Sequence, residues 1–91
     1  METECIGRAV TSKAGRDKGR TYLITGIVDD SHVWLSDGDR RKLAEPKKKK
    51  LKHLAVLPET AQDIAVRIKA GGRVQDHEIR AWLEAHDENN R

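Results

Sequence analysis

The chain has 91 residues, of which 36% are charged, 36% are hydrophobic and 3% are aromatic. A chain of this length buries only about 60 to 65% of the surface that its unfolded form exposes, which excludes a large core. No apolar run approaches the roughly 18 residues that a membrane span requires, so we expect no membrane contact. The single cysteine excludes an internal disulfide, and the N-terminus lacks the pattern of a signal peptide, so a cytoplasmic location is expected.

Charge is distributed unevenly along the chain. Residues 1–58 contain thirteen Lys/Arg and eight Asp/Glu, a net charge of +5, whereas residues 59–91 contain five and seven, a net charge of −2. This asymmetry predicts a polyanion-binding domain over residues 1–58, joined to a second part over residues 59–91 that has another role.

The first part of the chain has the pattern of short β-strands separated by turns. Alternating and β-branched residues predict strands over residues 6–12, 21–28 and 32–36, and residues 39–43 are expected to be a short return strand after a hairpin turn. Gly26 lies inside the second of these and predicts a bend or bulge. Asp37 and Gly38 are typical of a tight hairpin turn. A fifth strand over residues 51–57, ended by Pro58, is expected to close a small barrel.

The second part has the period of amphipathic helices. Thr60 and Asp63 resemble a capping box, and the apolar stripe that follows is stopped by Gly71 and Gly72. A second helix is predicted over residues 76–87, followed by a polar, disordered tail over residues 88–91. Because neither helix would be stable alone, this hairpin must pack on itself, on the barrel or on a partner.

The stretch KAGRDKGR, residues 13–20, is a basic turn between two predicted strands, here called the first basic loop. Gly15 and Gly19 are expected to shape it by adopting positive φ. Its cations must face solvent or a partner that supplies negative charge, such as a phosphate backbone. A solvated hairpin turn is the alternative. The cations are Lys13, Arg16, Lys18 and Arg20.

Two further basic stretches follow. The first lies on the predicted fourth strand and consists of Arg40, Arg41 and Lys42. The second is a run interpreted as a loop that cannot pack, consisting of Lys47, Lys48, Lys49 and Lys50. Phosphate contact is the favoured role of this run, and a solvated linker is the alternative. Asp17 is expected to orient Arg16 or Lys18, or to cap the turn.

These motifs carry a family resemblance. The segment from Val10 to Arg20 resembles a KOW motif, the RNA-binding loop of small SH3-like barrels. Together with DGDRRKL and PKKKK, it is similar to short bacterial KOW-domain RNA-binding proteins that are related to eukaryotic-type large-subunit ribosomal proteins. Tyr22 departs from the motif, which often has glycine at this position. Over residues 6–53 the resemblance implies an SH3-like barrel, an rRNA-type ligand and no catalysis.

Residue patterns that would indicate catalysis are absent from the sequence. The four histidines lack metal-ligand spacing, and Cys5 lacks an identifiable base. The aspartates at 29, 30, 37 and 39 occur in turns, where aspartate is favoured for local hydrogen bonding. No nucleotide-binding glycine loop is present. We therefore expect a protein that is not an enzyme and that has no metal or cofactor.

The sequence thus predicts a mainly β protein with C-terminal helices: a five-stranded SH3-like barrel followed by a two-helix hairpin. The predicted function is docking on RNA, specifically rRNA of the large ribosomal subunit, through phosphate contacts. Trp34 and Tyr22 are candidates for base stacking, although such residues in a small barrel are more often core. The alternative is a protein-interaction adaptor in which the barrel binds one protein partner and the helical hairpin binds a second. The apolar residues of the hairpin exceed what it would bury by itself, and they are Ile64, Ile68, Ile79, Trp82 and Leu83.

Overall fold

The structure is a computed structural model and describes residues 3–86. The predicted tail and Asp87, the last residue of the predicted second helix, lie outside the described residues. The strands are β1 (Arg8–Ser12), β2 (Thr21–Ile27), β3 (His32–Ser36), β4 (Lys47–Lys50) and β5 (Leu54–Thr60). The helices are α1 (Gln62–Lys69) and α2 (Asp76–Ala85), and 3₁₀ turns occupy Thr3–Cys5 and Leu51–His53. A mainly β fold with C-terminal helices is confirmed.

The strands form one antiparallel sheet of five strands in the order β4-β3-β2-β1-β5. β4 and β5 are its two edges and are joined by the 3₁₀ turn Leu51–His53. Within the described residues no ladder connects these edges, so the sheet is not closed. The predicted barrel is therefore not confirmed.

The sheet buries apolar side chains on both faces, since successive side chains of a strand point to opposite sides. One face carries a buried cluster of Val10, Tyr22, Ile24, Val33, Leu35 and Leu54. The other face packs against the helices through Ala9, Leu23, Ala61, Ile64 and Ile79. Ile68, Trp82 and Leu83 are partly buried against this second cluster. The apolar stripes of the helical hairpin are thus used within the chain, on the sheet.

The predicted bulge in β2 is confirmed. The register between β2 and β3 shifts between Ile24 and Gly26, and Gly26 then lies opposite Trp34. A Cβ added at Gly26 would lie 3.1 Å from Trp34 Cδ1. Glycine therefore leaves the space over which the indole packs.

The predictions for the later strands were wrong in four places, of which one is the start of the fifth strand, because Leu51–His53 forms a 3₁₀ turn and β5 begins at Leu54. Residues 39–43 form turns and not a strand, while the lysine run is β4 and pairs with β3 from Leu35↔Lys47 to His32↔Lys50. Pro58 does not end β5, which continues to Thr60. Proline lacks an N–H but is tolerated on an edge strand, where one side of the backbone needs no partner.

Helix α1 begins and ends close to its predicted positions. The N-cap residue that precedes Gln62 is Ala61, which makes no side-chain hydrogen bond to the helix, so the capping box expected at Thr60 is absent. Gly71 adopts a φ of +76° and ends the helix, as predicted.

The two helices are joined by an ion pair as well as by the apolar cluster. Arg67 Nη1 on α1 donates to Glu78 Oε2 on α2 at 3.1 Å. Within α1, Arg67 Nη2 donates to Asp63 Oδ2 at 2.8 Å. The hydrogen bond from Arg67 lowers the pKa of Glu78 to about 2, with help from the Gln75 N–H.

Across residues 3–86 the helices are too short or too polar for any of them to cross a bilayer.

Candidate nucleic-acid interface

Two basic loops leave the sheet at the same end. The first basic loop joins β1 to β2 just beyond the pair Thr11↔Thr21. Residues 37–43, here called the second basic loop, follow β3 just beyond Leu23↔Ser36, which is also the N-terminal end of β2. Gly19 and Arg20 of the first loop line one cleft with Asp37 and Asp39 of the second. The antiparallel order of the strands therefore brings these two cation-bearing loops to the same end of the sheet, although they are separate in sequence.

The first basic loop is a succession of hydrogen-bonded turns. Gly15 and Gly19 have φ values of +85° and +91°, so the prediction that they shape the loop is confirmed. The Lys18 N–H donates to Gly15 O at 3.2 Å, and the Gly19 N–H donates to Ser12 O at 2.8 Å. These bonds close the loop back onto the end of β1.

Asp17 anchors this loop from inside, with only 6% of its surface exposed. Its Oδ1 accepts hydrogen bonds from Ser12 Oγ at 2.8 Å and from Lys49 Nζ at 3.0 Å. Its Oδ2 accepts from Tyr22 Oη at 3.2 Å and lies 3.1 Å from Lys47 Nζ. We call these five residues the Asp17 cluster. The expectation that Asp17 orients Arg16 or Lys18 was wrong, because its cationic partners come from β4.

The cluster shifts the ionisation of its members. Burial by itself would raise the pKa of Asp17, but hydrogen bonds from Lys49, Ser12 and Lys47 outweigh it and hold that pKa well below its usual range. Burial, and then the Asp17 charge, raise the pKa of Tyr22 to about 12. Asp17 is thus a carboxylate and Tyr22 a neutral donor throughout the physiological range.

The lysine run is divided between two directions by strand alternation. Lys47 and Lys49 point to Asp17, and Lys49 Nζ also donates to Ala14 O at 2.8 Å. Lys48 and Lys50 are exposed. The run is therefore a packed strand and not the loop that was predicted, and only alternate lysines face solvent.

The second basic loop is held by an aspartate at its start. Asp37 Oδ1 accepts the N–H groups of Asp39 and Arg41, each at 2.9 Å. A turn is thus confirmed at Asp37-Gly38, although it leads into further turns and not into a return strand. Its three cations, Arg40, Arg41 and Lys42, are exposed.

Helix α2 supports the second basic loop from behind. Arg80 Nη1 donates to Gly38 O at 2.8 Å, and the Leu43 N–H donates to Asp76 Oδ1 at 2.7 Å. Gly38 has a φ of +77°, and a Cβ there would collide with Asp76 O. Sequence reasoning missed this contact, and the signal that could have found it is a DG dipeptide with no strand pattern after it.

The predicted contact residues fall into two groups, of which the first, Lys47 and Lys49, is held in the Asp17 cluster. The second group faces solvent on the two basic loops. Exposed cations of the two basic loops are Lys13, Arg16, Lys18, Arg40, Arg41 and Lys42, and Arg20 is half-buried. Tyr22 is buried, which confirms its assignment to the core, whereas Trp34 is only partly buried. In residues 3–86 no three His, Cys, Asp or Glu side chains are grouped so that they could hold a metal ion.

The fold and these side chains define a small antiparallel sheet protein, backed by two helices, with exposed cations on two adjacent loops. No protein-family model matches the chain. A protein of Bacillus subtilis (strain 168) that bears the name "Putative ribosome-binding protein YbzG" is 29% identical to it over 69 residues. The aligned region covers 76% of this chain and 93% of that protein.

Proposed function

We propose that this chain is a non-catalytic RNA-binding protein that associates with the ribosome in the cytoplasm. It docks on the phosphate backbone of rRNA, and we assign it to the large subunit. The first basic loop acts as a KOW-type loop. The observation that carries this proposal is that two separate loops, each bearing exposed cations, lie at one end of the sheet and line one cleft.

The chemistry of this surface suits a polyanion. Arg16, Arg40 and Arg41 carry planar guanidinium groups that match phosphate oxygens in pairs, while Lys13 and Lys18 act as mobile point charges. Such contacts give affinity that depends strongly on salt and little on base sequence. They fit a ligand whose folded shape determines where it is bound.

The Asp17 cluster suits the same role in two ways. Lys47 and Lys49 compensate the charge of Asp17, so the carboxylate inside the loop adds little repulsion toward phosphate. The cluster also fixes the loop before binding, which lowers the ordering entropy that association costs. Lys48 and Lys50 remain exposed and extend the cationic surface along β4, while Lys47 and Lys49 act by holding the loop.

Similarity to the Bacillus protein points to one particular polyanion as the ligand, the ribosome. The Bacillus protein is named for ribosome binding, and the alignment spans 93% of its length. The resemblance of residues 10–20 to a KOW motif points to the same class of ligand. The adaptor alternative has lost its main support, because the apolar residues of the hairpin pack on the sheet.

The test is co-sedimentation of the purified protein with purified large and small ribosomal subunits over a range of salt concentrations. We expect pelleting with the large subunit that weakens as salt rises. In the triple variant Lys13→Ala, Arg16→Ala, Lys18→Ala, the slope of log affinity against log salt should fall by roughly 0.7 to 0.9 for each phosphate contact removed.

A matched pair of single substitutions controls for net charge. Lys18→Ala and Lys69→Ala remove the same group from exposed positions, the first from the basic loop and the second from the end of α1. Only the first should weaken pelleting. Equal effects of the two, or an unchanged slope in the triple variant, would rule out docking through the loop.

A further inference from the structure

A groove lies between the turn that joins α1 to α2 and the face of the sheet that packs against the helices. It encloses about 480 Å³, within the size range of small-ligand sites. The sheet side contributes Thr25 and Trp34, and the connection to β4 contributes Leu43 and Pro46. The remaining wall is Ile68 and residues 71–74.

Trp34 is the aromatic residue of this groove. It lies on the opposite face of β3 from Val33 and Leu35, which belong to the buried cluster. Its indole packs beside the backbone of Gly26 and remains partly exposed. A partly exposed indole in a concave site offers a flat surface on which a planar ligand can stack.

The charged residue that lines the groove is a cation, and a second cation lies on the neighbouring strand. Arg73 lines the groove, and the lining residues include no carboxylate. Lys48 lies directly opposite Trp34 in the β3–β4 register and is exposed. Leu43, which lines the groove, immediately follows Lys42, so the groove continues from the second basic loop.

We propose that this groove receives an unpaired nucleobase, which stacks on Trp34 while Lys48 and Arg73 contact the flanking phosphates. The inference rests on the proposed function, since the base belongs to the RNA whose backbone the two basic loops hold. Every nucleobase has a flat π-face, so the subsite accepts an unstacked base with little regard to sequence. An apolar peptide fits less well, because Arg73 lines the groove and Lys48 lies opposite Trp34 on β4.

Fluorescence of Trp34 tests the stacking directly. The chain has two tryptophans, so Trp82→Phe leaves Trp34 as the only indole while keeping an aromatic ring in the second cluster. A short oligoadenylate should quench the emission of this variant, and an abasic ribose-phosphate chain of equal length should not. Absence of quenching by oligoadenylate, whether or not it binds, overturns the subsite.

Substitutions at Trp34 separate stacking from simple apolar contact. Trp34→Phe keeps a ring and should pellet with the large subunit nearly as well as the parent protein. Trp34→Leu should raise the Kd by roughly 5- to 100-fold, the range expected for loss of one base–aromatic stack. Circular dichroism must show that both variants are folded. Equal pelleting by Phe and Leu variants overturns stacking.

The two proposals fail in different ways. Pelleting of the parent protein without quenching removes the nucleobase subsite and leaves ribosome docking intact. Quenching without pelleting keeps the subsite and removes the ribosome as the ligand. Loss of both removes both proposals.

Discussion

Lys49 Nζ lies 3.0 Å from Asp17 Oδ1, and this ion pair joins edge strand β4 to the loop between β1 and β2. In the sheet, β3 and β2 lie between β4 and β1, so the pair ties together segments that no backbone ladder connects. The lysine run therefore has two roles. Alternate lysines hold the first basic loop in place, and the others face solvent.

Removal of the Asp17 charge should destabilise the fold. Asp17→Asn leaves Lys49, whose side chain is 10% exposed, without a full compensating charge. Breaking one partner of a buried pair costs about 3 to 5 kcal/mol, and Lys47 at the more exposed rim should reduce this to about 2 to 4 kcal/mol. Urea denaturation followed by circular dichroism measures the change.

Asp39→Asn is the matched control, because Asp39 is exposed in the neighbouring loop. Its effect should stay within about 0.5 kcal/mol, as for most surface substitutions. Equal stability of the Asp17 and Asp39 variants would mean that the Asp17 cluster does not hold the loop.

The same cluster predicts a decline in stability at acid pH. The folded-state pKa of Asp17 lies below its ordinary value of 3.8, so the unfolded chain takes up a proton that the folded chain does not. The contribution of Asp17 to the free energy of unfolding should therefore be complete above about pH 5 and should fall as the pH is lowered toward 2. Glu78, whose pKa is lowered to about 2, contributes with the same sign.

Urea denaturation at several pH values, compared between the parent protein and Asp17→Asn, isolates the Asp17 contribution. The difference in stability between the two proteins should shrink as the pH falls through this window. A difference that stays constant from neutral pH to about pH 3 would contradict the assigned ionisation.

The sequence was sufficient to predict elements whose pattern is local. The strands β1 to β3, the bulge at Gly26 and both helices follow from alternation, β-branching and helical period, which short windows contain. The positive φ of Gly15 and Gly19 also follows, because glycine adopts this conformation without steric cost where a tight turn needs it.

The lysine strand could not be predicted, because its stability comes from residues far away in the chain. Four consecutive lysines have poor strand propensity, and only pairing with β3 and the buried charge of Asp17 make this segment a strand. Asp17 lies some thirty positions before Lys47 and Lys49, and no spacing rule relates them. The docking of Gly38 onto α2 is non-local in the same way.

Titration of Tyr22 gives a second measure of the Asp17 cluster. The chain has a single tyrosine, so the ultraviolet absorbance of tyrosinate reports this residue alone. It should ionise near pH 12, because burial and the Asp17 charge oppose a second negative charge. In Asp17→Asn the midpoint should move down toward the ordinary value of 10.0.

The raised pKa also predicts a loss of stability in alkali. Above about pH 10 the unfolded chain releases the phenolic proton while the folded chain keeps it, so the free energy of unfolding falls between about pH 10 and 12. A midpoint near 10 in a protein that circular dichroism shows to be folded would mean that Tyr22 is not held by Asp17.

Two glycines with similar backbone conformation should respond differently to alanine. Gly38 and Gly19 have φ values of +77° and +91°, but a Cβ at Gly38 would collide with α2, whereas at Gly19 nothing lies within 4 Å. Gly19→Ala should cost about 1 to 2 kcal/mol from backbone strain alone. Gly38→Ala should cost at least about 1 kcal/mol more, because the loop must move from the helix. Equal costs in thermal denaturation would exclude this close packing.

A final prediction separates a fixed loop from a merely basic one. Asp17→Asn raises the net charge by one unit, which by long-range attraction alone should strengthen binding to RNA. If the Asp17 cluster preorganises Lys13, Arg16 and Lys18, the substitution should instead weaken pelleting with the large subunit by roughly three- to tenfold, since loop order must then be gained on binding. The measurement is made well below the unfolding temperature of the variant, with Asp39→Asn as the control of equal charge. Tighter binding by both variants would show that charge alone governs the interaction, whereas weaker binding by Asp17→Asn alone would show that loop geometry does.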